Sequence, residues 1–423
     1  MEPKQLLIQS FQAAVAAADP LKILPSQLPP PPSGRTLVIG AGKAAASMAL
    51  AVERHWPEDA MLEGLVITRY RHGLPTRRIQ VIEAGHPVPD EMGESAAKEI
   101  LQRVGRLAPG DLLLALISGG GSALLSLPVE GVGMQALKAT TKELLRKGVP
   151  IQDMNTVRKH LSAIQGGRLA AACKAPVLSL IISDVTGDDP THIASGPCAP
   201  DPSTYREAIE ILERYRVNTP PAVREHLERG VRGETPETPK PGDRIFSNVE
   251  NRVIASGRQA LRAAQDVFHL HRIQTMNLGD GVTGEASEVG KVYGALARQI
   301  AHHGEPAKPP LALISGGECT VTVRGDGRGG RCTEFLLSLA VDLAGTGNVF
   351  AIACDTDGID GSEDNAGAVL LPDSLERGME LGMNARTLLA NNDGYGFFSG
   401  LGDLVVTGPT RTNVNDYRAI LIL

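Results

Sequence analysis

"TLVIGAGKAAASMALAVE", residues 36–53, passes from a β-branched apolar run through a glycine turn into a run of small helix formers. That order is strand, tight turn, helix, the opening unit of a doubly wound α/β sheet. Gly40-Ala-Gly42 with Ala45 matches the dinucleotide spacing GxGxxG/A. Lys43 stands inside the turn at the helix start, where an ammonium and backbone N–H groups would converge on a phosphate; a solvated lysine at a helix start is the plainer alternative. A Walker loop is excluded, because Leu37 occupies the position that needs glycine. The acidic residue that binds a ribose in NAD proteins is also missing. The next strand, "GLVITRYR", ends in Thr68, Arg69 and Arg71, so only the extra phosphate of NADP would find a partner there.

Outward from this unit, strand and helix signals alternate. "GLVIT", "IQVIEA", "DLLLALIS" and "APVLSLIISDV" read as strands, with helices at 43–55, 91–104, 134–147 and 204–214. Alternation of this kind predicts a parallel sheet covered on both faces. An amphipathic helix, "PKQLLIQSFQAAVAAA", precedes it, and a proline-rich connector follows at 25–32. Residues 230–244, "GVRGETPETPKPGDR", carry the composition of a domain boundary. Domains are therefore expected at 1–235 and 245–423. The second half repeats α/β signals: "RVIASG", a helix from Gln259, "RIQTMNL", a helix over 284–303, then "VFAIACDTDG", "GAVLL", "DLVVTG" and "RAILIL".

The heptapeptide "LALISGG" occurs at 114–120 and again at 311–317. The first copy continues "GSALLSLPVEG", the second "ECTVTVRGDGRGGR", so the surroundings do not repeat and duplication of the whole unit is unsupported. Both read as a buried strand emptying into a glycine turn, where backbone N–H groups can approach an anion. The alternating Thr-Val-Thr-Val after Gly317 has strand period two, and the strands that follow predict at least one antiparallel hairpin after Gly317, hence a mixed second sheet.

Bulk properties exclude several classes. The chain has 423 residues, 42% hydrophobic and 21% charged, with a formal net charge of −6. Nucleic acid is not the expected partner of such a chain. The basic stretch "RYRHGLPTRR" at 69–78 reads as a solvated face. Five cysteines without a CxxC pair fit reduced thiols in the cytoplasm. The N-terminus lacks a signal peptide's pattern, and the most apolar window, 112–127, is interrupted by three glycines, so no membrane partner is expected.

Several loops carry chemistry. "NTVRKHLS" (155–162) clusters Arg158, Lys159 and His160, with Asn155 as a candidate cap; these suit either a surface helix or a carboxylate site. "GHPVPD" (85–90) reads as a proline-fixed loop into a helix capped by Asp90. "SDVTGDDPTHIASGP" (183–197) leaves a strand at its carboxyl end with Asp184, Asp188 and Asp189 close together, a charge load that Mg²⁺ would relieve. "GRGGRCTE" (327–334) sets Arg331 and Glu334 in the first turn of a helix. "CDTDGIDG" (354–361) carries three acids without EF-hand spacing, and "TGPTRTNVND" (407–416) ends in Asn413 and Asp416.

These motifs, with "VIGAGKAA", "SGGGSALL" and "SGGECTVTVRGDGRGGR", stand in an order that resembles bacterial glycerate 2-kinases of type II, with a MOFRL domain at the C-terminus; relatives were once named hydroxypyruvate reductases. The resemblance spans nearly the whole chain. It implies two α/β domains, the first Rossmann-like and the second mixed, with the active site in an interdomain cleft. It also implies transfer of the γ-phosphoryl group of ATP to the 2-hydroxyl of D-glycerate, with Mg²⁺. The departures are Cys332 and Thr333, where the family usually has Asn and Gln, and Gly394, where Ser is common. On this reading Lys43 and Arg331 neutralise the migrating group. The turn from Gly119 through Gly120 and Gly121 to Ser122, beside Gly40 and Gly42, cradles the nucleotide. Asp184 and Asp188 hold Mg²⁺, and Asp189 joins them or takes the hydroxyl proton. Arg158 clamps the glycerate carboxylate, with Asn155 and Glu318 in the substrate set. The rival is an NADP-dependent hydroxypyruvate reductase using the Gly40–Ala45 turn.

Overall fold

A computed structural model describes residues 2–344 and 346–423. The chain divides into two compact units, Pro20–Ile254 and Met1–Asp19 with Ala255–Leu423.

The first unit is built on β1 (Thr36–Ala41), β2 (Leu62–Arg69), β3 (Ile79–Ala84), β4 (Leu112–Ile117), β5 (Val177–Ile182) and β6 (Val249–Ala255). Their order in the sheet is β3-β2-β1-β4-β5-β6. β1 pairs parallel with both β2 and β4, and β2–β3 and β4–β5 are parallel too. Every residue of β1 and of β5 is buried, as a strand covered on both faces requires. The chain reverses its winding between β1 and β4, and their carboxyl ends lie side by side, with Ala41 opposite Ile117. In a sheet of this order, that switch point is where ligands bind.

The second unit contains β7 (Gln274–Asn277), β8 (Gly284–Glu285), β9 (Leu311–Gly317), β10 (Cys319–Thr320), β11 (Val349–Asp355), β12 (Gly367–Leu370), β13 (Leu404–Val405) and β14 (Asp416–Ile422). β8 and β10 form a short parallel pair, and the other six make a sheet in the order β13-β12-β11-β14-β9-β7. This sheet is mixed, because β7–β9 is parallel while β9–β14, β14–β11 and β11–β12 are antiparallel. An antiparallel hairpin after Gly317 does form, between the consecutive strands β11 and β12, but the Thr-Val-Thr-Val stretch itself contributes only to the two-residue β10. Residues 321–324 have no strand structure despite their alternation, because Thr322 N donates to Glu285 Oε1 and Arg324 N to Asn392 Oδ1 instead of to a strand partner.

The units also divide elsewhere than the composition suggests. The boundary falls after Ile254, since β6 lies beyond the charged stretch and completes the first sheet next to β5. The opening helix, Pro3–Ala16, belongs to the second unit, where Phe11 stacks on Tyr417 and Ser10 Oγ accepts from Tyr417 Oη at 2.8 Å.

Candidate active site

The first glycine turn is packed too tightly against the second to receive a ligand in the dinucleotide manner. Gly42 sits at φ 138°, and a Cβ there would lie 2.1 Å from Ser118 Oγ. One at Gly40 would meet Leu116 O at 2.6 Å. Gly42 N donates to Ile67 O (3.1 Å), Lys43 N to Gly119 O (2.8 Å) and Ala44 N to Ser118 Oγ (3.1 Å). The donors of Gly42, Lys43 and Ala44 that could meet a phosphate are thus consumed inside the protein. This turn serves as a foundation for the one after β4.

That second turn is better placed. Gly120 adopts φ 81°, the left-handed region open to glycine. A Cβ on it would lie 2.9 Å from His86 Nε2 and 3.5 Å from Lys43 Cγ, so both side chains reach over the turn. Lys43 is half-buried there. His86 comes from "GHPVPD", whose Asp90 does cap the next helix, accepting from Gly93 N at 3.0 Å. Sequence reasoning took that loop as structural and missed His86; its only signal was the proline-fixed geometry around it.

A narrow recess opens beside this turn, lined by Ser122, Ser126, Thr141, Arg158, Ser162 and Gln165 with Pro87 and Pro89. Gln165 Nε2 donates to Ser122 O and Leu125 O, both at 2.9 Å, tying the turn to the recess wall. The three basic residues of "NTVRKHLS" separate. Lys159 is fully buried and paired with Asp201 at 2.7 Å, and His160 is buried with Nε2 3.2 Å from Glu237. Arg158 alone lines the recess, and among the described residues its guanidinium has no hydrogen bond or ion pair. Burial without a counter-charge pulls its pKa below the ordinary value. Asn155 is not a cap: the helix starts at Ile151 after Pro150, and Asn155 lies buried in its middle.

Asp184 is partly buried at the end of β5. Asp188 (φ 55°) and the exposed Asp189 follow, and Asp189 Oδ1 accepts from Thr191 N at 3.0 Å. The expected convergence of three acids is not found. No three His, Cys, Asp or Glu among the described residues are grouped to hold a metal.

In the second unit the repeated heptapeptide is β9, with Gly317 at φ 109° where a Cβ would meet Val282 O at 2.3 Å. Gly317, Asp416 and Asp355 stand in one row across β9, β14 and β11. Arg331, at the start of helix Arg331–Asp342, spans the row. Its Nε donates to Asp416 Oδ1 (2.8 Å), Nη2 to Asp355 Oδ2 (2.8 Å) and Nη1 to Glu318 Oε1 (2.5 Å). Burial would lower its pKa, but these three carboxylates outweigh it and hold the guanidinium well above its ordinary value. Glu334, expected as a possible neighbour, is not the partner. It faces a recess of about 670 Å³ with Arg331 and Asn392. The buried Asp360 caps this helix from outside, accepting from Cys332 N and Thr333 N at 2.9 Å and from Thr333 Oγ1 at 2.8 Å. The two departures from the family pattern meet here, since a Cβ at Gly394 would lie 2.9 Å from Thr333 Cβ.

The two-unit α/β architecture agrees with the comparisons to known proteins. Residues 6–228 match the domain family of unknown function DUF4147, and residues 311–416 match the MOFRL family. A glycerate 2-kinase of Pyrococcus horikoshii is 41% identical over 90% of this chain and 86% of its own. The crystal structure of a glycerate kinase from Thermotoga maritima superposes with a TM-score of 0.87 at 35% identity, covering 99% of both chains. The chain belongs to the MOFRL glycerate kinase family. A protein of Agrobacterium vitis named as a candidate hydroxypyruvate reductase is 49% identical over 99% of this chain and 94% of its own. Reductase and kinase names therefore coexist within this kinase family. All five cysteines are free thiols, and no helix among the described residues is long and apolar enough to cross a membrane.

Proposed function

We propose that this member of the family transfers the γ-phosphoryl group of ATP to the 2-hydroxyl of D-glycerate, giving 2-phosphoglycerate, with Mg²⁺, in the cytoplasm. The observation that carries this reading is Arg158. A half-buried guanidinium without an anion is partly desolvated at a cost, and a substrate carboxylate in the recess would supply the missing charge-assisted pair. The glycine turn Gly119–Gly121 next to it, overlaid by Lys43 and His86, is assigned to phosphate oxygens, with the Ser122 hydroxyl left to the acceptor substrate. Asp184 and Asp188 would hold Mg²⁺, whose contribution is to neutralise phosphate charge. Asp189 is assigned the proton of the acceptor hydroxyl, because only one of its oxygens is engaged, by Thr191 N. Phosphoryl transfer asks chiefly for positioning and neutralisation of charge, which this residue set supplies.

Arg331 takes a revised role within this proposal. With Nε, Nη1 and Nη2 all committed, it acts by fixing Asp355, Asp416 and Glu318, of which Glu318 is exposed. The name of the Agrobacterium vitis relative raises NADP-dependent reduction of hydroxypyruvate as the second reading. The engaged N–H groups of residues 42–44 speak against it, since a pyrophosphate would have to displace three internal hydrogen bonds. The test is a phosphorus NMR spectrum of the product from ATP, Mg²⁺ and D-glycerate, run beside an NADPH oxidation assay with hydroxypyruvate. Appearance of 2-phosphoglycerate is expected. NADPH oxidation without any phosphorylated product would reverse the assignment.

A further inference from the structure

Ser122 lines the recess beside Arg158, and its hydroxyl lies 2.8 Å from Ser195 Oγ. Ser195 is fully buried, and its Oγ also lies 3.3 Å from Asn155 Oδ1. The direction of this chain follows from its far end. Asn155 Nδ2 faces His192 O at 3.3 Å, and a carbonyl oxygen can only accept, so the amide nitrogen must point there and Oδ1 must point at Ser195. Oδ1 cannot donate, so the single Ser195 proton goes to it. Ser195 Oγ is then an acceptor for Ser122, and the Ser122 proton is drawn away from the recess.

We propose that Ser195 is a positioning residue that turns Ser122 into a hydrogen-bond acceptor, so that the recess selects a carboxylate whose neighbouring carbon bears a hydroxyl donor. Arg158 takes the carboxylate and the Ser122 lone pairs hold the O–H on binding; that proton passes to Asp189 only when the hydroxyl attacks. This rests on the reading of the recess as a hydroxy-acid site and names the group that reads the hydroxyl. The backbone around Ser195 is held for the purpose. Ala194 (φ 52°), Ser195 (φ 57°) and Gly196 (φ 59°) are consecutive left-handed residues, two of them not glycine. Ser195 O and Gly196 O accept from Gly166 N (2.9 Å) and Gly167 N (2.7 Å), which locks the segment in place. Gly121 makes room for it, since a Cβ there would lie 2.5 Å from Ala194 Cβ. A hydroxyl held on strained backbone against the rim of a recess is the pattern of a specificity device.

The test compares binding of D-glycerate with binding of propionate, which has the carboxylate and no hydroxyl, by calorimetry on the wild type, Ser195→Ala, Ser195→Gly and Arg158→Ala. Glycine suits the left-handed backbone, so Ser195→Gly keeps the fold even if Ser195→Ala does not. The proposal expects the glycerate-over-propionate preference to fall about tenfold in both Ser195 variants while propionate affinity holds. A purely structural Ser195 would weaken both ligands together and leave the ratio unchanged, which overturns the proposal. If Arg158→Ala leaves glycerate binding intact, the hydroxy-acid reading of the recess fails instead, and the two failures are distinguishable.

Discussion

Arg331 and Asp416 are joined Nε to Oδ1 at 2.8 Å, and Asp416 gives its second oxygen to Arg418 Nη2, also at 2.8 Å. Asp416 and Arg418 have no exposed side-chain surface, and Arg331 shows 23% of its own. Removing one member of such a set strands the others as uncompensated charges.

Arg331→Ala is therefore expected to lower stability by about 3 kcal/mol of unfolding free energy, and to lower kcat only through the disorder of the carboxylates it fixes. From the sequence alone a small change in melting temperature would be expected, and the buried acids reverse that. Denaturant unfolding alongside steady-state kinetics checks it. An unchanged melting temperature would mean that Asp355 and Asp416 find other partners.

Lys43→Ala is expected to separate the same two effects. Lys43 is half-buried over Gly120, so its loss should lower kcat roughly a hundredfold with a small change in melting temperature. Near-wild-type kcat would return Lys43 to a solvated helix-start lysine.

These two residues mark what the sequence discloses and what it hides. β1, β4 and β9 were legible as unbroken apolar runs ending in glycine, because a strand buried on both faces has no other way to be written. The start of helix Arg331–Asp342 was legible from its glycines. The partners of Arg331 were not, since they stand 24 and 85 positions away and meet it only through strand register. The opening helix shows an apolar face, but no pattern in it says which sheet that face covers. Alternation in Thr-Val-Thr-Val suggested a strand, and side chains of Glu285 and Asn392 took the backbone donors first. Ser195 and His86 were missed because a left-handed serine and a histidine over a distant glycine leave no local signature.

Arg158→Ala should trade function against stability. The KM for D-glycerate is expected to rise roughly 10- to 100-fold, the scale of a lost charged hydrogen bond. Melting temperature should hold or rise slightly, because a half-buried charge without a partner is removed. A loss of stability would show instead that Arg158 supports the fold.

Asp188→Asn and Asp189→Asn test the metal and base assignments with the loop intact. Asparagine tolerates the left-handed φ of Asp188, and at 189 its amide oxygen can still accept from Thr191 N. Each variant is expected to lose turnover with little change in melting temperature, and excess EDTA should abolish wild-type activity. Full turnover in EDTA, with no metal carried over, would remove Mg²⁺ from the reaction.

Glu334 makes stability depend on pH. It is 4% exposed, and burial pushes its pKa up to about 7, opposed by the 3.2 Å hydrogen bond from Asn392 Nδ2 and reinforced by the charge of Glu285. In the unfolded chain the same carboxyl loses its proton near 4.5. Between these values the folded state binds more protons than the unfolded one, so this residue makes stability fall as pH rises from about 4.5 to about 7. The window of about 2.5 pH units corresponds to a loss of about 3 kcal/mol, complete above pH 7. Glu334→Gln keeps the side chain's shape and cannot ionise, so its stability should lack this slope. The difference between variant and wild type should then be flat below pH 4.5, widen in favour of the variant through neutrality and level off above it. Urea unfolding of both proteins across that range measures the difference, and a carbon-13 NMR titration of the Glu334 carboxyl measures the pKa itself. Parallel stability profiles, with the carboxyl titrating near 4.5, would show that water reaches this recess freely and that Glu334 is an ordinary surface acid.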